Sequence, residues 1–219
     1  FEDKIYKTID ARYLWNKIIS NAYSSAEPGI VFLDRMNETN NLHYCEEIEA
    51  TNPCSEQPLP PYGLCLLGSF NLPAYLYKRN DGVLLFDFVQ YRKDIFDVVE
   101  AYDNIFDEAV YAIPEHEIEA TTKRRMGLGL TGIANAIELL IGKPSYGNED
   151  FCETLNVIAS ELTYSAYMAS IELAKKRGRF ALFDKDKYLE SKFIKTLPDD
   201  IQESIYAHGI RNSHLISYA

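Results

Sequence analysis

The chain has 219 residues, 47% of them hydrophobic, enough for one large core or two small ones. Acidic residues outnumber basic ones by 33 to 22, a net charge of −11, which excludes a broad cationic face for nucleic-acid backbone. Cysteines at 45, 54, 65 and 152 are too scattered for a disulfide-stapled secreted scaffold, and no apolar run is long enough to cross a bilayer, so a reducing cytoplasm is expected.

In chain order, residues 11–26 place Leu14, Trp15, Ile18, Ile19 and Ala22 at helical spacing, and "EPG" ends that helix before a strand-like run, "IVFLD". The polar stretch 35–51, with "NETNN" as turn chemistry, reads as a surface loop. A proline-rich loop follows. "LCLLGSFNL", residues 64–72, lies between Gly63 and Pro73 and reads as a buried strand. "NDG" at 80–82 is a turn, and Phe88, Ile95, Val99, Tyr102 and Phe106 mark a long helix stopped near Pro114. Further helices are predicted over about 131–141, over 150–177 with Gly178 as its stop, and in "PDDIQESIYAHG" with Pro198 near its start. The chain opens at Phe1 without an initiator Met and closes on "HLISYA", which resembles the start of a strand. The expectation is a piece of a longer α/β assembly whose sheet is incomplete here.

The chemistry concentrates in "ATNPCSEQPLPPYGLCLLGSFNL", residues 50–72. If the segment is extended, Asn52, Cys54 and Glu56 alternate onto one face and present an amide, a thiol and a carboxylate together. Pro53, Pro58, Pro60 and Pro61 fix φ and remove backbone donors, which stiffens the loop without ladder hydrogen bonds. A carboxylate beside a thiol disfavours the thiolate, which argues against a thiolate nucleophile and for hydrogen-atom chemistry at sulfur. Residue types alone fit better an ordinary buried cysteine on a proline-shaped loop.

This stretch resembles the active-site signature of the large, catalytic subunit of ribonucleotide reductases, most closely the adenosylcobalamin-dependent class II enzymes. "EPGIVFLDRMNETNNLHY", "AYDNIFD" at 102–107 and "KRRMGLGLTGIANAI" at 123–137 extend the resemblance over nearly the whole chain. It implies a helix-rich fragment, residues 1–219, of a ten-stranded α/β barrel with a finger loop at its centre. It implies reduction of ribonucleotides to deoxyribonucleotides, with Cys54 as the thiyl radical that takes the 3′ hydrogen, Glu56 as general base on the 3′ hydroxyl, and Asn52 orienting the ribose. Asn52, Pro53, Cys54, Ser55 and Glu56 together would form the substrate-binding wall. Cys65 would be half of a redox-active pair reopened by thiol exchange with a thioredoxin-like reductant; its partner lies upstream in family members.

Adenosylcobalamin is the implied cofactor, and a ribonucleoside di- or triphosphate the implied substrate. Nucleotide effectors would act through segments before Phe1, and a substrate-phosphate loop would follow Ala219. The alternatives are a class I subunit served by a separate radical-generating subunit, and a noncatalytic structural piece of a split reductase. Position 55 departs from the family, which usually carries Gly there.

Other signals are weaker. "GLGLTG", 127–132, fits a dinucleotide-binding fingerprint but follows "TTKRRM" rather than a long apolar strand, and the resemblance explains its glycines by strand-to-helix packing. Lys123, Arg124 and Arg125 read as a solvated basic face, with phosphate contact as the alternative. His43, Cys45, Cys54 and Cys65 lack the paired spacing of a metal site, so no metal ligand is expected. Cys45 and Cys152 are read as structural, and the 16 tyrosines as core or interface aromatics.

Overall fold

The computed structural model describes residues 4–218, so the chain ends at Phe1 and Ala219 lie outside the described residues. Two units separate at residue 32. The first holds one helix, α1 (Ala11–Ser25), opened by Asp10, whose side chain accepts from Tyr13 N at 2.7 Å, and closed by Ala26 in the left-handed region. The helical spacing of its apolar residues is borne out, yet none of its residues is buried. The predicted strand "IVFLD" does not form: residues 29–32 have no regular structure and Leu33 opens a helix.

The second unit starts with α2 (Leu33–Thr39), where a surface loop was expected. Residues 40–42 are buried, and asparagine side chains supply the pairing that backbone would otherwise lack. Asn37 accepts from Ile48 N at 2.7 Å and donates to Ile48 O at 2.9 Å, while Asn41 donates to Ser213 O at 3.1 Å. Composition alone misreads such a segment, because its polar side chains are spent inward.

Six short strands follow. β1 (Ala50–Thr51) and β2 (Pro58–Leu59) form an antiparallel hairpin, and β4 (Leu76–Lys78) pairs with β5 (Leu84–Phe86) around the predicted Asp81-Gly82 turn. β3 (Leu66–Asn71) runs parallel to β6 (Met126–Thr131), in register from Leu66 opposite Met126 to Asn71 opposite Thr131. Between them lie α3 (Phe88–Glu108) and α4 (Pro114–Lys123). Pro114 starts α4 rather than stopping α3, because proline's fixed φ and missing N–H suit the first helical turn. The rest is α5 (Ile133–Ile141), α6 (Glu149–Arg177), α7 (Lys185–Glu190) and α8 (Asp199–His208), with α5, α6 and α8 where the sequence put them.

The "GLGLTG" run is itself the buried strand β6 rather than a phosphate turn. Its glycines admit close neighbours. A Cβ on Gly129 would sit 2.6 Å from Ser217 O, on the segment that lies along β6's free edge. Met126 N and Leu128 N donate to His214 O and Leu215 O, Ser217 N donates to Leu128 O, and Leu128 bridges Ile216 in parallel, so the strand expected in "HLISYA" begins here. We expect Gly129→Ala to destabilise the chain by about 1–3 kcal/mol through overpacking. Chemical denaturation, with faster hydrogen exchange at the Ser217 amide, checks this.

An α/β fold is therefore present, but a closed ten-stranded sheet is not: the described residues give three separate two-stranded sheets. A barrel needs each strand paired on both sides, and β3 is paired only with β6. The core centres on α6, whose Ile158, Leu162, Ala166 and Ile171 are buried alongside Tyr91, Ile95 and Val99 of α3. Tyr91, Tyr167 and Tyr188 are among the largest fully buried side chains, as expected of core aromatics. No described helix is long and apolar enough to cross a membrane.

The basic run is no solvated face. Lys123, Arg124 and Arg125 are all buried, because each meets a carboxylate from another part of the chain. Arg124 donates from Nε to Asp103 at 2.6 Å, and the fully buried Asp103 also takes Arg177 and Arg211, each at 3.1 Å. Val99, Asp103 and Phe106 occupy one stripe of α3, so an aspartate stands where periodicity calls for an apolar residue.

Candidate active site

The loop between β1 and β2 is a tight turn, which corrects the extended alternation expected from the sequence. Ser55 N donates to Asn52 O at 3.0 Å, and Asn52 N to Gln57 O at 3.1 Å. Ser55 takes a left-handed φ of 66°, the conformation that glycine accommodates most readily and that the family's usual residue would meet without strain. Its hydroxyl accepts from Thr51 Oγ1 at 3.3 Å. Pro53 and Ser55 are exposed on the tip.

The turn nevertheless joins two of the three predicted side chains. Asn52 Nδ2 donates to Glu56 Oε1, and Asn52 Oδ1 accepts from Gln57 N at 3.0 Å, so one amide fixes both the turn and the carboxylate. Ser217 Oγ donates to Glu56 O at 2.9 Å from the segment beside β6. Cys54 is exposed at the tip, not buried as an ordinary core cysteine would be. Glu56 is half-buried, and its second oxygen, Oε2, is buried with no protein partner. That oxygen retains a lone pair for a donor from outside the chain.

Glu56 lines a cavity of about 350 Å³ together with Asn40, Arg125, Tyr167 and His214. Cys65 precedes β3 and is half-buried, and burial pushes its thiol up to about 12, with Arg125 opposing and Glu56 adding to the rise. Cys45 and Cys152 are exposed, and all four cysteines are free.

The sequence missed three groups. Arg125 donates from Nη1 to Pro58 O at 3.0 Å and from Nη2 to Glu46 Oε1 at 2.5 Å. Lys123 pairs with Glu46 at 2.7 Å and with Glu119 at 2.6 Å. His214 is half-buried, and burial together with Arg125 and Lys123 holds it well below the usual imidazole range, so it is neutral. Asn40 Nδ2 donates to Glu46, so its Oδ1 accepts from His214 Nε2 at 3.1 Å; the Nδ1 atom then accepts from Ser213 Oγ at 3.0 Å. The basic run was visible in the sequence but its burial was not, and "NSHLIS" carries no local signal marking His214.

The model of the ribonucleotide reductase barrel domain matches residues 2–219. The chain is 34% identical over 177 residues to a vitamin B12-dependent ribonucleoside-diphosphate reductase of Thermoplasma acidophilum, covering 81% of the chain and 22% of that protein. It is 34% identical over 188 residues to the vitamin B12-dependent enzyme of Mycobacterium tuberculosis, covering 86% of the chain and 26% of that protein. Against the ribonucleoside-diphosphate reductase subunit alpha of Chlamydia pneumoniae it is 28% identical over 245 residues, covering 100% of the chain and 23% of the relative. The chain spans about a quarter of the length of these curated relatives. With this match over nearly its full length, the chain belongs to the ribonucleotide reductase barrel-domain family.

Proposed function

We propose that this chain carries the radical hairpin of a ribonucleotide reductase and serves the reduction of a ribonucleoside diphosphate to its deoxy form. The observation that supports this most directly is the pairing of Asn52 with Glu56 beneath an exposed Cys54, with Glu56 Oε2 left free. In this reading the Cys54 sulfur removes the 3′ hydrogen of the ribose while Glu56 takes the 3′ hydroxyl proton, and Asn52 orients the hydroxyls. The 2′ hydroxyl leaves as water. Cys65 and a second thiol supply the hydrogen and electrons and close to a disulfide, so ribonucleotide plus two thiols gives deoxyribonucleotide, water and disulfide. A thioredoxin-like reductant reopens the pair, which requires a reducing compartment such as the cytoplasm.

β3, β6 and the segment 214–217 are read as one arc of a ten-stranded barrel completed by flanking parts of the same enzyme, which would also carry nucleotide effector sites. Adenosylcobalamin is the proposed radical source, supported by the names of two relatives. When bound, it supplies a carbon-centred radical able to take hydrogen from a thiol. The exposed Cys54 thiol fits that need, and no residue of this chain is assigned to hold the cofactor. The complete enzyme, supplied with a dithiol, is expected to form deoxyribonucleotide only when adenosylcobalamin is added. Turnover without it, dependent instead on a second subunit, would assign the class I mechanism; no turnover under either condition would overturn the reading.

A further inference from the structure

The outgoing arm of the hairpin meets the body of the second unit at a residue that has no side chain. A Cβ on Gly127 of β6 would come within 2.7 Å of Gln57 Nε2, Leu67 Cδ2 and Ser217 Cβ. Those three side chains belong to the hairpin, to β3 and to the segment along the free edge of β6. Gly127 does not have a left-handed φ, so space rather than backbone conformation excludes a side chain there. The strand thus leaves a socket in which the hairpin and the C-terminal segment meet.

Ser217 closes that socket. It is 7% exposed, its N–H donates to Leu128 O at 3.0 Å, and its hydroxyl donates to Glu56 O at 2.9 Å, so one residue is bonded both to the strand and to the hairpin. Among the described residues it is the sole side chain bonded to the Glu56 main chain. The next residue, Gln57, is 5% exposed; its backbone N–H is held by Asn52 Oδ1, and its side-chain amide lies over Gly127. Glu56 is therefore set from two sides. Asn52 holds the carboxylate at Oε1 within the turn, and Ser217 holds the carbonyl against β6.

We propose that Ser217 is a positioning residue for the Glu56 carboxylate, seated in the socket that Gly127 leaves open. The proposal rests on the reading of Glu56 as the base on the 3′ hydroxyl, and Ser217 acts through Glu56 without touching the substrate. A base works only within hydrogen-bond reach of its proton, and a misplacement of about 1 Å can cost about 10²-fold. Ser217→Ala removes the hydroxyl and keeps the N–H that pairs with Leu128, so the hairpin loses its tie while β6 keeps its neighbour.

The test compares Ser217→Ala with the parent in the complete enzyme, by two measurements. In hydrogen exchange, the hairpin amides of Asn52, Ser55 and Gln57 are expected to exchange about threefold faster or more, while those of Met126 and Leu128 stay within about twofold. In steady state, kcat is expected to fall about fivefold or more at unchanged KM, with a larger isotope effect from 3′-deuterated ribonucleotide, because removal of that hydrogen becomes slower. Ser217→Thr, which keeps the hydroxyl, is expected to stay within about twofold of the parent in both measurements. Unchanged hairpin exchange or unchanged kcat in Ser217→Ala overturns the proposal. So does exchange that speeds equally in β6, which would make Ser217 a general packing residue, and so does an equal loss in Ser217→Thr. If Ser217→Ala does not fold, Ser217→Thr decides: parent-like hairpin exchange and kcat support the proposal, and a fivefold loss of kcat overturns it. Failure of the reading itself shows in the parent, as absence of nucleotide reduction, while the exchange data still report whether Ser217 holds the hairpin.

Discussion

Cys54→Ser in the complete enzyme is expected to lower nucleotide reduction by at least about 10³-fold, with folding unaffected. The serine O–H bond is stronger than a thiol S–H, so forming the oxygen radical adds several steps of about 1.36 kcal/mol to the barrier, each worth tenfold. Cys54 is exposed on the hairpin tip, where substitutions usually shift stability by no more than about 0.5 kcal/mol. The contrast is the diagnostic: a steady-state assay of deoxyribonucleotide should fall to background while the melting temperature stays put. Measurable turnover in a correctly folded Cys54→Ser enzyme would remove the thiyl role from this residue and leave the hairpin as scaffolding.

The second large effect is on stability. Asp103→Ala is expected to cost about 3–5 kcal/mol, because it strips a counterion from the buried Arg124 guanidinium and a shared partner from the less buried Arg177 and Arg211. Arg124 keeps Asp107 at 2.8 Å and Arg177 keeps Glu100 at 2.7 Å. Arg211 keeps only the carbonyls of Arg177 and Gly178, each at 3.3 Å. Asn212, whose Nδ2 donates to Asp103 Oδ1 at 3.2 Å, also loses an acceptor. For a chain of this size about 2–4 °C of melting temperature is lost per kcal/mol, so a fall of about 10 °C is expected in a thermal melt. Because the carboxylate is fully buried, the deficit should change little between low and high salt. A loss under about 1 kcal/mol would mean that the arginines re-pair locally, and that the node does not tie α3, α6 and the C-terminal segment together.

The two effects trace a division of labour within the chain. The Asp103 node joins α3, the end of α4, the end of α6 and the segment leading to His214. That segment in turn pins the hairpin through Ser217 and lines the cavity with His214. Damage at Asp103 is therefore expected to lower activity only by loosening the body that holds the hairpin, and the activity loss should track the unfolded fraction. Damage at Cys54 is expected to act on chemistry alone.

Local patterns made much of the chain legible. The long helices α1, α3, α5, α6 and α8 follow from apolar spacing and from stops such as Gly178, because helix formation reads residues three and four apart. The hairpin at Asp81-Gly82 and the family signature at 50–72 are local in the same sense, and the signature alone pointed to Asn52, Cys54, Glu56 and Cys65. The sequence did not reveal which polar residues turn inward. Asn37, Asn40 and Asn41 read as loop chemistry, and Lys123, Arg124 and Arg125 as a solvated face, because burial of a polar group depends on a partner that is distant in sequence.

By itself, then, the sequence determined the long helices, the turn at Asp81-Gly82 and the reactive residue types, all of which depend on neighbours within a few positions along the chain. Only the tertiary structure decided that the hairpin tip is a tight turn joining Asn52 to Glu56, that "GLGLTG" is a buried strand, and that Arg125 and His214 stand behind the carboxylate. Those outcomes depend on long-range pairing: Ser217 with the Glu56 backbone, Glu46 with Arg125, and β3 with β6. The energy of such contacts depends on desolvation and geometry across the fold, which no window of adjacent residues contains.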